Sequence, residues 1–202
     1  MKSLHYRIAW LSGVAVLVAG CSSAQSGDVM PVGFASQAAA TQKAVRPARS
    51  LPHDVLYVAG GFKLPGWVTI YPQRGANQAK IGAVTNGVDG PWSLAVDASE
   101  NLYVGNADNS TVTVYARGGK TPFETLTGAG DPVGVAVARD GTVFVANYGA
   151  GNPPSDASIL VYKEGQTTPS QTIPIADGSY PFGLAVDSSG DLFATINRYV
   201  AR

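Results

Sequence analysis

PWSLAVDASENLYV at Pro91–Val104, PVGVAVARDGTVFV at Pro132–Val145 and PFGLAVDSSGDLFA at Pro181–Ala194 align without a gap. Each opens on Pro, runs through apolar residues into a polar turn of Asp, Ser, Gly or Asn, and begins a second apolar run eleven residues after the Pro. Short β-branched and aromatic runs separated by turn residues predict two antiparallel strands joined as a hairpin. After the first two hairpins comes a further strand ending in Tyr, at Val112–Tyr115 and Ile159–Tyr162, and Val68–Tyr71 matches it in an earlier unit. A glycine follows each Tyr within four residues, at Gly75, Gly118 and Gly165. Weaker β stretches then lie at about Ala79–Val84, Phe123–Leu126 and Gln171–Ile175.

Four short strands per unit follow, with the Pro positions 41 and 49 residues apart. The extra length of the second interval falls in GAGNPPSD, Gly149–Asp156, where Gly and Pro mark a surface loop. A four-strand unit of about 40 residues has the length of a propeller blade, and because one such sheet cannot bury both its faces, neighbours must stack. Leu94 and Val96, Val135 and Val137, and Leu184 and Val186 are expected to pack between units. Asp97 and Asp187 suit the hairpin turn by accepting backbone N–H groups, and Asn106, Asn147 and, one position later in its repeat, Asn197 suit a left-handed residue at the next turn.

The Pro-x-Gly-x-Ala-Val-Asp pattern, its Gly turn and the strand ending in an aromatic resemble the NHL and YVTN-type β-propeller repeats over about residues 55–202. The resemblance implies an all-β propeller of four-stranded antiparallel blades, at about 55–90, 91–131, 132–180 and, in part, 181–202. The chain departs from the family at the second turn, where Asn stands in place of Asp. The predicted strand count is three, four, four and two, so the expectation is an open arc, from a fragment of a longer propeller, instead of a closed ring.

The N-terminus carries a different message. Lys2 and Arg7 precede an apolar run from Ile8 to Gly20, too short for a membrane span and of the length of a signal-peptide core, so residues 1–20 are set apart from the fold. Val18-Ala19-Gly20-Cys21 resembles the lipobox of bacterial lipoproteins, which implies acylation of Cys21, the only cysteine, and an extracytoplasmic protein held at the cell membrane or outer membrane. The several chains such proteins carry anchor stably, which one chain does not. The alternative is plain secretion with cleavage near Ser22-Ser23-Ala24. Residues 21–50 then form the acylated Cys and a flexible Ser-, Ala- and Gln-rich tether, ahead of the repeats at 51–202.

Composition limits the chemistry. With 24 Gly, 13 Pro, 14% charged residues and zero net charge, the chain suits a β-rich domain and lacks the basic footprint of a nucleic-acid binder. One Cys excludes an internal disulfide and a thiolate zinc site. His53 is the only histidine beyond the leader, and no G-x-S-x-G or phosphate loop occurs. Propeller lactonases of the gluconolactonase type would imply a central Glu, Asn and Asp around a divalent cation. Glu100, Glu124 and Glu164 are the only glutamates after residue 50, and the alignment places all three at the periphery. Streptogramin lyases depend on His and Glu, in which this chain is poor. No catalytic residue, metal ligand or cofactor is therefore assigned, and the reading leans away from an enzyme. Trp67 and Trp92 either pack between repeats or hold a ligand on a propeller face. The expected role is a membrane-anchored scaffold binding a protein or small molecule, with no nucleic-acid partner. The alternative is a metal-dependent lactonase whose site is completed by further blades.

Overall fold

The computed structural model describes residues 55–61, 65–73, 79–149, 154–176 and 178–198. Among these the chain is all-β, without a helix, in four antiparallel sheets. The first sheet is β1 (Val55–Gly60), β2 (Trp67–Pro72) and β3 (Gly82–Val84). The second is β4 (Pro91–Val96), β5 (Leu102–Asn106), β6 (Thr111–Tyr115) and β7 (Glu124–Leu126). The third repeats it with β8 (Pro132–Val137), β9 (Val143–Asn147), β10 (Ser158–Tyr162) and β11 (Gln171–Pro174). The fourth is the pair β12 (Ser179–Val186) and β13 (Leu192–Arg198). Each sheet is a meander in which every strand pairs with its sequence neighbour, and no closed ring is seen among the described residues.

The hairpin turns show why the repeat reads as it does. In the β4–β5 turn, Asp97 Oδ1 accepts the backbone N–H groups of Ser99 and Asn101 at 2.9 and 2.8 Å. In the β12–β13 turn, Asp187 Oδ1 accepts those of Ser189 and Asp191 at 2.8 and 2.9 Å. Nine residues after each Pro the backbone must turn left-handed. Gly141 (φ 80°) and Gly190 (φ 89°) adopt that conformation freely, whereas Glu100 (φ 64°) does so against its Cβ.

Two apolar seams hold the sheets together. Val68, Ile70, Val84, Leu102, Val104 and Tyr115 fill the seam between the first and second sheets, with Leu94 packed against it. Val112, Val114, Leu126, Val135, Val145, Leu160 and Tyr162 fill the seam between the second and third, with Val137 alongside. The strict alternation of β5 and β6 thus sends successive side chains into opposite seams, so the second sheet is buried on both faces. Val96, expected in a seam, is instead 40% exposed.

The strand-ending tyrosines lock each seam from its outer side. Tyr115 and Tyr162 are fully buried, and their hydroxyls donate to the backbone oxygens of Asn86 (2.7 Å) and Thr127 (2.9 Å) in the segments that lead from the preceding sheet into their own. Burial pushes the Tyr115 phenol above its ordinary range and the Tyr162 phenol up to about 12 from 10.0. A group raised in the folded state contributes stability that is complete below its unfolded pKa and declines as pH rises towards its folded one. Stability should therefore fall between pH 10 and about 12. In an alkaline titration, phenolate absorbance from these tyrosines should appear together with loss of the β circular-dichroism signal. Full phenolate absorbance near pH 10 with the fold intact would contradict this account.

Candidate functional site

β8 packs against both β4 and β12, which brings the residues flanking Pro91, Pro132 and Pro181 to one end of the molecule. Proline supplies no N–H to the ladder, and immediately after each of the three the pairing register shifts, between Pro91 and Ser93, Pro132 and Gly134, and Pro181 and Leu184. A bulge of this kind re-aims the side chain beside it. Here it affects Trp92, Val133 and Phe182. Val133 is buried, while Trp92 and Phe182 are 46% and 39% exposed and meet edge to face across it, with ring centroids 5.9 Å apart at 76°. Tyr180 continues the row at 6.4 Å from Phe182, and Tyr148 stacks on Tyr180 at 4.6 Å. Four rings from three sheets thus form one partly open aromatic mouth.

Three carboxylates stand at the same end. Asp89 stands two residues ahead of β4 and Asp131 directly ahead of β8, and Asp108 presses on Gly90, where a Cβ would lie 2.7 Å from each carboxylate oxygen. One oxygen of Asp89, one of Asp131 and the Ser93 hydroxyl are sequestered without a hydrogen-bond partner. Burial, and after it the charge of Asp108, raises the Asp131 carboxyl above its ordinary range. The Tyr148 backbone N–H donates to the Asp131 carbonyl at 2.8 Å, tying the aromatic row to the acidic segment.

The repeated asparagines position these segments. Asn106 is fully buried, and its Oδ1 accepts the Asp89 N–H at 3.0 Å while its amide donates to Thr113 Oγ1 at 3.0 Å. Asn147 Oδ1 accepts the N–H groups of Gly130 and Asp131 at 2.8 and 3.0 Å, and its amide donates to the Asp156 carbonyl and Ser158 Oγ, each at 3.2 Å. Neither Asn has the left-handed backbone expected of it, because each is the last residue of a strand and works through its side chain. Asn197 has neither role. Ile196 occupies the place opposite Pro181 that Asn106 and Asn147 occupy opposite Pro91 and Pro132.

The other residues singled out from sequence lie elsewhere. Glu100 occupies its hairpin turn and pairs with Arg117. Glu124 and Glu164 line a cleft with Asp97, Arg139 and Lys163 at the far end of the strands. The three glutamates are not brought together, and among the described residues no group of three or more His, Cys, Asp or Glu is placed to hold a metal ion. Trp67 lies over Gly60 and Gly61, where any Cβ would come within 2.7–2.9 Å of its ring. Cys21, the leader 1–20, the segment 21–50, His53 and positions 150–153 of the Gly149–Asp156 loop fall outside the described residues. Sequence reasoning missed Tyr148, Tyr180 and the aspartates. The available signal was positional, since Asp89 and Asp131 stand just ahead of the repeat Pro and Tyr148 directly follows Asn147.

No protein-family model matches the chain, and a comparison with curated proteins finds no significant match. Among solved structures it is similar to Kuenenia stuttgartiensis hydrazine synthase, with a TM-score of 0.56 and 25% identity over 70% of this chain. That alignment spans 38% of the hydrazine synthase chain, and it fits the all-β architecture of stacked sheets.

Proposed function

We propose that this protein is a binding scaffold of the β-propeller type, lipid-anchored at Cys21 outside the cytoplasm, which presents the Trp92–Phe182 mouth to a ligand. The observation that carries the reading is the aromatic row itself. Single exposed apolar residues are ordinary on a protein surface, but contiguous rings drawn from three sheets and left half open mark an interaction site. Supporting the propeller assignment are the four-strand meanders, the seams between successive sheets, the packing of β8 against both β4 and β12, and the similarity to hydrazine synthase. The anchor rests on Val18-Ala19-Gly20-Cys21, and the 21–50 tether would give the scaffold reach from the membrane.

Two measurements test the two halves of this reading. In cells fed an alkyne analogue of palmitate, the full chain should be labelled and sediment with membranes, and Cys21→Ala should lose both properties. A wild-type chain that stays unlabelled and soluble would remove the anchor. For the mouth, the neutral apolar dye Nile red should bind the full chain, and Trp92→Ala combined with Phe182→Ala should weaken binding by about tenfold, the effect of losing roughly 1.4 kcal/mol of contact. Unchanged dye affinity in the double variant would show that the mouth is not the binding face.

A further inference from the structure

We infer that the aromatic mouth binds an organic cation, an alkylated ammonium group that seats against Trp92 and Phe182 with its charge directed at the aspartates beside them. This rests on the reading of the mouth as a binding face and adds the chemistry of its ligand. Two independent features meet here. The first is the row of rings, whose electron-rich faces attract cations within about 6 Å and favour weakly hydrated alkylammonium groups. Its members come from different sheets, with Trp92 on β4, Tyr148 just after β9, and Tyr180 and Phe182 on β12, so they form one row that no single strand could present.

The second feature is the charge at its rim. Asp89 and Asp131 each keep one carboxylate oxygen out of water with no hydrogen-bond partner, which raises the cost of their charge and makes a cation nearby favourable. The raised Asp131 carboxyl agrees with a negative site awaiting a counter-charge. Both aspartates are fixed by backbone hydrogen bonds to buried asparagines, so the negative charge is held in place ahead of binding. A neutral ligand would gain the rings but leave the carboxylates unanswered, and an anion would be repelled.

The test is displacement of Nile red from the full chain by choline and by 3,3-dimethylbutan-1-ol, its neutral isostere with carbon in place of nitrogen. Choline should displace the dye at a concentration about tenfold or more below that of the alcohol, the discrimination expected of a cation–π contact backed by carboxylates. Asp131→Asn, which keeps the side-chain shape, should remove most of that discrimination while leaving circular dichroism unchanged. Asp89→Asn should do the same in part. Equal displacement by choline and the alcohol would overturn the cation assignment and leave the mouth as an apolar binding face. Failure of both to displace a dye that remains sensitive to the Trp92 and Phe182 substitutions would overturn it equally. Dye binding insensitive to those substitutions would instead sink the binding face itself.

Discussion

Gly134→Ala should destabilise the protein by about 3 kcal/mol, whereas Gly183→Ala, the same change at the same repeat position, should shift stability by less than about 0.5 kcal/mol. Gly134 lies on β8 where β12 crosses it, and a Cβ built there runs into the backbone oxygen of Phe182 and comes within 3.0 Å of the Ala146 methyl. A backbone atom cannot rotate away, so the third and fourth sheets must separate. Gly183 faces only the Thr195 side chain, with its Oγ1 at 3.2 Å. Thermal unfolding of both variants checks this, since about 3 kcal/mol corresponds to a fall of roughly 6–12 °C in a domain of this size. The contact also shapes the proposed mouth, because the approach of β8 to β12 is what brings Phe182 to 5.9 Å from Trp92. Gly134→Ala should therefore weaken dye and choline binding as well as the fold. Equal midpoints for the two variants would mean that the sheets are not packed as closely as described.

The strand pattern was legible because it depends on local chemistry. Each second strand starts eleven residues after its Pro, at Leu102, Val143 and Leu192, as the aligned stretches predict. The aspartate turns were legible for the same reason, since Asp97 and Asp187 bond backbone groups within four residues of themselves. The site was not legible in this way. Trp92 and Phe182 are separated by a whole intervening repeat and meet through the packing of β4 and β12 on β8. Asn106 and Asn147 invited a backbone reading, yet they reach across 16 or 17 residues to the segment ahead of the preceding strand, which only the closed hairpin brings near. The offset of Asn197 lies in the sequence itself. Pro181 pairs with the residue fifteen positions on, as Pro91 and Pro132 do, and in this repeat that residue is Ile196, with the asparagine one place later.

That exchange of Ile for Asn at the same paired position supplies the control for the second large effect. Asn106→Leu should cost about 2–4 kcal/mol, because it replaces a side chain of similar volume while leaving several buried groups unpaired. The amide has 0% exposure. Its oxygen is the acceptor for the Asp89 N–H, and its nitrogen donates to Thr113 Oγ1 at 3.0 Å and to the Val104 carbonyl at 3.3 Å. Thr113 in turn donates to the Gly87 carbonyl at 3.2 Å, so one substitution loosens the whole segment that leads into β4 and carries Asp89. Ile196 sits in the equivalent place on β13 but is 50% exposed, so nothing there depends on an amide and Ile196→Asn should be close to neutral. Urea unfolding of the two variants separates the explanations. If the asparagine were needed only for strand or turn propensity, both changes would have small effects of opposite sign. If it acts by satisfying buried N–H groups, Asn106→Leu alone loses stability, and it also loses choline discrimination because Asp89 is no longer held at the mouth.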